Sequence, residues 1–177
     1  MDWRLVLTLI AFAVYFVYNA IAVCRFGAPK SLSMTYYNFQ ELNPKLKWCF
    51  PVMMCLMAGL LMPAWIDLSG GHNLQFMSFF AAAGIVFVGF VPNFKDGRLE
   101  KSLHTGSAIF TALFAILWVC LVANMWYVVL IWAIMFIAVA FLSSTWKTSY
   151  IYWLETVAFA STFTSIVSYY LVHFYGV

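Results

Sequence analysis

The sequence predicts an all-α integral membrane protein, a single bundle of six transmembrane helices spanning residues 1–177. Three observations predict it. Of the 177 residues, 66% are hydrophobic and 8% charged, against about 45–50% and about 25% in soluble domains. The apolar residues fall into six runs long enough to cross a ~30 Å hydrocarbon core, which takes about twenty helical residues. The runs are continuous and lack the period-two alternation that a membrane barrel needs.

The first run, 3–25, resembles a signal peptide only superficially. It follows Asp2, and its A-x-A matches (Ala11 to Ala13, Ala20 to Ala22) lie inside the run. It therefore reads as a retained helix. Gly27 and Pro29 end it, opening a loop at 26–47 that Pro44 interrupts. Within that loop Leu32 to Leu42 is amphipathic and aromatic, and is expected to lie in the headgroup region. The second run, 48–67, carries Pro51 and Pro63 near its ends, which should bend or open it locally. Ser78 and Ala82 in the third run, 74–92, and Ala108 and Ala112 in the fourth, 104–124, give small-xxx-small faces for close helix approach. The fifth and sixth runs cover 126–144 and 149–174. Short links at 68–73, 124–125 and 145–148 make their flanking runs antiparallel neighbours.

Charge sets the orientation. The loops 26–47 and 93–103 and the turn 145–148 follow odd-numbered runs, so all three lie on one side. That side carries Arg25, Lys30, Lys45, Lys47, Lys95, Arg98, Lys101 and Lys147, and the other carries only Arg4. This split predicts a cytoplasmic-membrane protein with its long loops inside and both termini outside. The stretch "NFKDGRLEKSLH", 93–104, holds five of the fifteen charged residues for this reason. Trp48, Trp146 and Tyr150 read as anchors at the inner interface, and Trp3, Trp65, Trp126 and Tyr175 at the outer one. The expected partners are membrane lipids, not nucleic acid, and a homo-oligomer is compatible with the sequence.

Cofactor and metal chemistry finds no support. Cys24, Cys49, Cys55 and Cys120 have no C-x-x-C spacing and no neighbouring His, and read as buried, inert thiols. His72 and His173 share a side but sit at its edge, where a haem pair would want matching depth inside the bundle. There is no G-x-S-x-G, H-E-x-x-H, P-loop or G-x-G-x-x-G. A Ser–His–acid set from Ser33, His104 and Glu155 requires free choice among several serines and does not mark a nucleophile.

Ionisable residues inside membrane helices are costly, so the few present carry the most information. Glu155 lies about two turns beyond Lys147, at the inner end of the sixth run. At about 100° per residue it shares one face with Ala158, Ser161, Thr162, Ser165, Ser168 and Tyr169, while Phe159, Phe163, Ile166, Val167 and Leu171 cover the other. The polar face should look into the bundle, its hydroxyls bonding to helix carbonyls and to neighbours. Candidate ligand-binding residues gather at the same inner end: Ser33, Thr35 and Tyr36 from the first loop, Asn93, Lys95, Asp96 and Arg98 from the second, then His104 and Glu155.

"SLSMTYYNFQELNP" after the first run, "NFKDGRLEKSLHTG" before the fourth and "WLETVAF" opening the last together resemble the six-helix membrane family that includes the DRAM autophagy modulators. The matching positions are Ser33 and Thr35, then Asn93, Phe94, His104 and Gly106, then Glu155, spread over nearly the whole chain. Lys95 stands where that family usually has Gln, and Thr156 follows Glu155 where Trp is usual. The resemblance implies a lipid-linked role without an agreed catalytic mechanism. The leading expectation is accordingly a lipid-binding or lipid-organising protein with a polar pocket in the inner leaflet, in which Glu155 holds the loops through Lys95, Arg98 or His104. One alternative is a membrane-embedded lipid hydrolase or transferase using His104 and Glu155 as acid–base groups. Another is a small solute or proton-coupled carrier, with the polar face of the sixth run lining its path.

Overall fold

The computed structural model describes residues 2–92, 94–95 and 97–175, with side chains as far as Val172. Within them every regular element is helical: α1 (Trp3–Phe26), α2 (Thr35–Leu42), α3 (Cys49–Leu68), α4 (Phe76–Phe90), α5 (Arg98–Leu121), α6 (Trp126–Leu142) and α7 (Trp146–Tyr175), with 3-10 turns at Leu32–Met34 and Leu46–Trp48. Three spans are long and apolar enough to cross a membrane: Trp3–Phe26, Leu46–Leu68 and Arg98–Leu121. The third and fifth runs give shorter helices than their composition predicts. Pro92 follows the end of α4 and a turn at 69–75 delays its start, leaving 15 residues, or about 22 Å at 1.5 Å per residue. α6 has 17 residues and stops where Ser144 adopts φ 55°.

The ends of each helix follow from local chemistry. Asp2 caps α1 by accepting from Arg4 N. Gly27, at φ 75°, closes it with its N–H on the Val23 carbonyl, a left-handed conformation that costs glycine little. Pro51 sits in the first turn of α3, where its missing N–H is harmless, and Pro63 lies inside the helix. Asn124, at φ 54°, makes the tight turn into α6.

α1 buries one stripe, Leu5, Thr8, Ala11, Tyr15, Tyr18 and Ala22, at helical spacing. It packs on α3 and α7; α4 lies between α3 and α5, and α5 returns to α7. α6 rests mainly on α7, buries only Val128 and Ala140, and exposes Leu130, Ile131, Ile134, Ile137 and Phe141. A helix apolar all round, with its outer face uncovered, suits lipid rather than water. α4 and α5 approach closely at Gly84. A Cβ on Gly84 would strike the Thr111 hydroxyl and approach Thr111 Cα to 3.2 Å. Ser78 and Ala82 are buried on the same helix, whereas Ala108 and Ala112 are only half-buried.

Helices α1, α3 and α7 are tied together at the end that carries the chain termini. The Arg4 guanidinium bonds Asp2 Oδ2 at 2.7 Å and also Asp67, whose other oxygen accepts from Tyr170 OH at 3.0 Å. Trp118 Nε1 donates to Ser69 Oγ at 2.7 Å and joins α5 to the same end.

Leu32 to Leu42 packs on the bundle: Leu32, Ser33, Thr35, Tyr36 and Phe39 are buried, and Phe39 meets the rings of Tyr18 and Phe26. Three expectations change here. Trp65 is not an interface anchor but 1% exposed, edge-to-face on Trp118; Trp3, Trp48, Trp126, Trp146 and Tyr150 are exposed as expected. Cys24 and Cys49 are exposed rather than buried. Phe163 and Ile166, expected on the outer face of the last helix, are buried together with Ser161, Thr162 and Ser165, because α7 is packed by α1, α5 and α6 on different sides. Tyr175 and His173 have side chains outside the described residues.

Candidate functional site

The loop end of the bundle is organised by a short irregular segment, residues 28–32, running along the first turns of α7. Ser149 Oγ donates to the Ala28 carbonyl at 2.9 Å, Tyr152 N to the Lys30 carbonyl at 3.3 Å, and Leu32 N to Glu155 Oε2 at 2.6 Å. Positions 149, 152 and 155 lie three apart, so they share one side of the helix. Ser149 has non-helical angles (φ −130°, ψ 22°). That break frees the Tyr152 N–H from the helical ladder for the Lys30 carbonyl. Glu155 therefore does hold the first loop, but through a backbone N–H rather than through Lys95, Arg98 or His104. Among the described residues the only ion pairs are those of Arg4.

The other candidates are placed as follows. Ser33 exchanges a 3.0 Å hydrogen bond with Ser31, whose Oγ caps the turn at Met34 N. Thr35 donates to the Leu32 carbonyl at 2.6 Å and pairs with Tyr18 OH on α1. Both side chains are buried; Thr35 binds the loop to α1, and Ser33 bonds within the loop. Tyr36 is buried against Tyr37. Lys95 donates its backbone N–H to Tyr37 OH at 2.8 Å and lays its ammonium 4.2 Å from that ring centre, a cation–π contact joining the two loops. Arg98 begins α5 and is exposed. Asn93 and Asp96 lie outside the described residues.

His104 is 4% exposed, with Nδ1 2.7 Å from the Val91 carbonyl and its ring stacked 4.6 Å from Phe94. That arrangement fastens the end of α4 to the start of α5. Glu155 faces a different space, a cavity of about 30 Å³ shared with Ser33, Phe50, Met54, Val88, Thr111 and Phe159. His104 is not among its walls. The structure thus brings Ser33 and Glu155 together, and it gives His104 a separate partner.

A larger space opens beside this cluster. A groove of about 610 Å³ runs between the start of α3 and the end of α4. Val52, Leu56 and Phe90 form its apolar walls, and Tyr36, Lys47 and Trp48 stand at its loop end. Gly89 lets α4 approach closely: a Cβ there would lie 3.0 Å from Met54 Cβ and 3.4 Å from the Pro51 carbonyl. The Lys47 ammonium is 5.7 Å from the Trp48 ring centre and has no carboxylate partner among the described residues. The groove falls in the size range of small-molecule and cofactor sites. Sequence reasoning saw Lys47 only as topology and Trp48 only as an anchor. The available signal was their adjacency, immediately before a helix whose exposed face is Val52 and Leu56.

Among the described residues no group of three or more His, Cys, Asp or Glu could hold a metal ion. Comparison of the chain with protein families, with curated proteins and with solved structures found no match.

Proposed function

We propose that this chain is a six-helix protein of the cytoplasmic membrane, with both termini outside, that binds an anionic lipid at its cytoplasmic end. The observation that carries the reading is the α3–α4 groove, whose walls are apolar and whose loop end holds an uncompensated lysine beside a tryptophan. An acyl chain matches Val52, Leu56 and Phe90, and a phosphate-bearing headgroup matches Lys47. The eight cations on the loop side support this orientation, since they would face anionic lipid. Six crossings require α4, α6 and α7 in addition to the three long apolar spans; the short apolar stretches of α4 and α6 would then need local thinning or help from flanking turns, at modest cost. The resemblance to the DRAM family points toward the same lipid-linked role.

Relative to the sequence expectation, the proposed ligand site moves by one helix face. Ser33, Thr35, His104 and Glu155 shape the loop end by bonding backbone and neighbouring hydroxyls, while Tyr36, Lys47 and Trp48 face the groove. The hydrolase alternative has less geometric support, because His104 and Glu155 share neither a bond nor a cavity wall.

Native mass spectrometry of the protein released from mild detergent tests this. The expected result is one retained phospholipid of anionic class, depleted in Lys47→Glu and in Leu56→Trp, which fills the groove. Wild-type protein free of lipid, or equal retention in a folded Leu56→Trp variant, would be incompatible with the groove as the site.

A further inference from the structure

The loop end of the α3–α4 groove holds a second polar group besides Lys47. Thr35 fixes α2 to α1 through Tyr18, and Tyr36, about 100° further round the helix, lines the groove beside Lys47 and Trp48. Tyr36 is buried and packs edge-on against Tyr37, with ring centres 5.1 Å apart. Neighbouring tyrosines use their hydroxyls within the protein. Tyr18 pairs with Thr35, Tyr37 accepts from Lys95 N, and Tyr152 donates to Asn19. The Tyr36 hydroxyl bonds to nothing among the described residues. Nor is it sealed in, as the unpartnered Tyr15 hydroxyl is; it opens on the groove that Tyr36 lines.

Lys47 stands apart from its fellow cations in a comparable way. The other seven loop-side cations are exposed, and Lys47 alone is half-buried. No carboxylate pairs with it among the described residues. Holding a charge partly out of water costs free energy that an opposite charge recovers. A phenol hydroxyl and an ammonium both donate hydrogen bonds, and the two stand at the same end of one groove. Their complement is a group with several anionic oxygens.

Resting on the lipid reading of the groove, we propose that Tyr36 positions the headgroup: its hydroxyl donates to a phosphodiester oxygen, while Lys47 sorts anionic headgroups from zwitterionic ones. The division of roles follows from the chemistry of the ligands. Every phospholipid presents a phosphodiester oxygen, so the Tyr36 bond strengthens binding whatever the headgroup. A choline headgroup carries a fixed positive charge beside its phosphate, which Lys47 repels; a glycerol headgroup carries none. A free phosphate ion would leave Val52, Leu56 and Phe90 uncovered, so the ligand is the lipid.

The test is native mass spectrometry of the full chain loaded with equimolar phosphatidylglycerol and phosphatidylcholine of identical acyl chains. The wild type should retain the glycerol lipid in preference. Tyr36→Phe should retain about ten-fold less of both lipids, with that preference unchanged. Lys47→Gln should lose the preference. Hydrogen exchange over residues 28–42 should be the same in Tyr36→Phe as in the wild type, because the ring that packs on Tyr37 remains. Wild-type retention in Tyr36→Phe would overturn the proposal, as would a loss confined to the glycerol lipid. Lower retention accompanied by faster exchange, or a variant that does not fold, would overturn it too, by showing the hydroxyl to be structural. If Leu56→Trp abolishes retention while Tyr36→Phe does not reduce it, only the role of Tyr36 falls. If the wild type retains neither lipid, the lipid reading of the groove falls with it.

Discussion

Replacing Glu155 by alanine should loosen residues 28–32 without unfolding the bundle. Leu32 N–H donates to the Glu155 carboxylate across 2.6 Å, one of three bonds that fix the segment to α7. Removing the acceptor leaves a buried backbone donor without a partner, which costs about 1–3 kcal/mol. With the Ser149 and Tyr152 bonds intact, the local opening free energy should fall by about 2 kcal/mol, or roughly 30-fold in the opening equilibrium. Glu155→Gln keeps a carbonyl acceptor but turns the second oxygen into an NH2 donor, and should cost less, about 1 kcal/mol and roughly five-fold. Hydrogen–deuterium exchange of the protein in nanodiscs, read on peptides covering 28–34, measures this directly. Wild-type exchange there in Glu155→Ala would refute the clasp. An equal rise across α3 and α5 would show instead that Glu155 supports the whole bundle.

Three further outcomes follow from other contacts. Gly84→Ala places a methyl group against the Thr111 side chain and should destabilise the α4–α5 pair by about 1–3 kcal/mol in denaturant unfolding, because Thr111 must shift to relieve the overlap; Thr111→Ala should restore part of the loss. Trp118→Phe removes the indole donor to the buried Ser69 hydroxyl and should cost about 1–3 kcal/mol by the same assay. At the terminal end, the hydrogen bond from Arg4 holds the Asp2 carboxyl at about 2, below its ordinary 3.8. The stabilisation linked to Asp2 is therefore complete above about pH 4 and disappears as pH falls toward 2; Asp2→Asn should flatten that part of a melting-temperature profile, and an unchanged acid slope would exclude the link.

Much of the site was within reach of sequence, but only in outline. Glu155 stands out because an acidic residue in an apolar run needs a partner, and it has one. Its partner, Leu32 N–H, is a backbone group 123 positions away; backbone donors carry no side-chain signature, so charged side chains and His104 drew the expectation instead. Ser161, Thr162 and Ser165 are buried as the polar face required, yet Phe163 and Ile166 are buried with them. Periodicity separates polar from apolar faces, but it does not tell an apolar face turned to protein from one turned to lipid. Trp65 shows the same limit: a tryptophan near a helix end fits an interface belt, and only the neighbouring Trp118 and the surrounding helices put it in the core.

What the sequence by itself determined is the helical, hydrocarbon-suited character of its segments: long apolar runs, interrupted at Gly27 and Pro29. These are properties of each segment against water or hydrocarbon, and transfer free energy and local backbone preference suffice to read them. Tertiary structure decided which segment meets which. It seated residues 28–32 on α7, turned Thr111 toward Gly84 and opened the groove beside Lys47. Between helices that are apolar on every side, such choices rest on close packing and on the few polar groups that must be satisfied, and both depend on residues far apart in the chain.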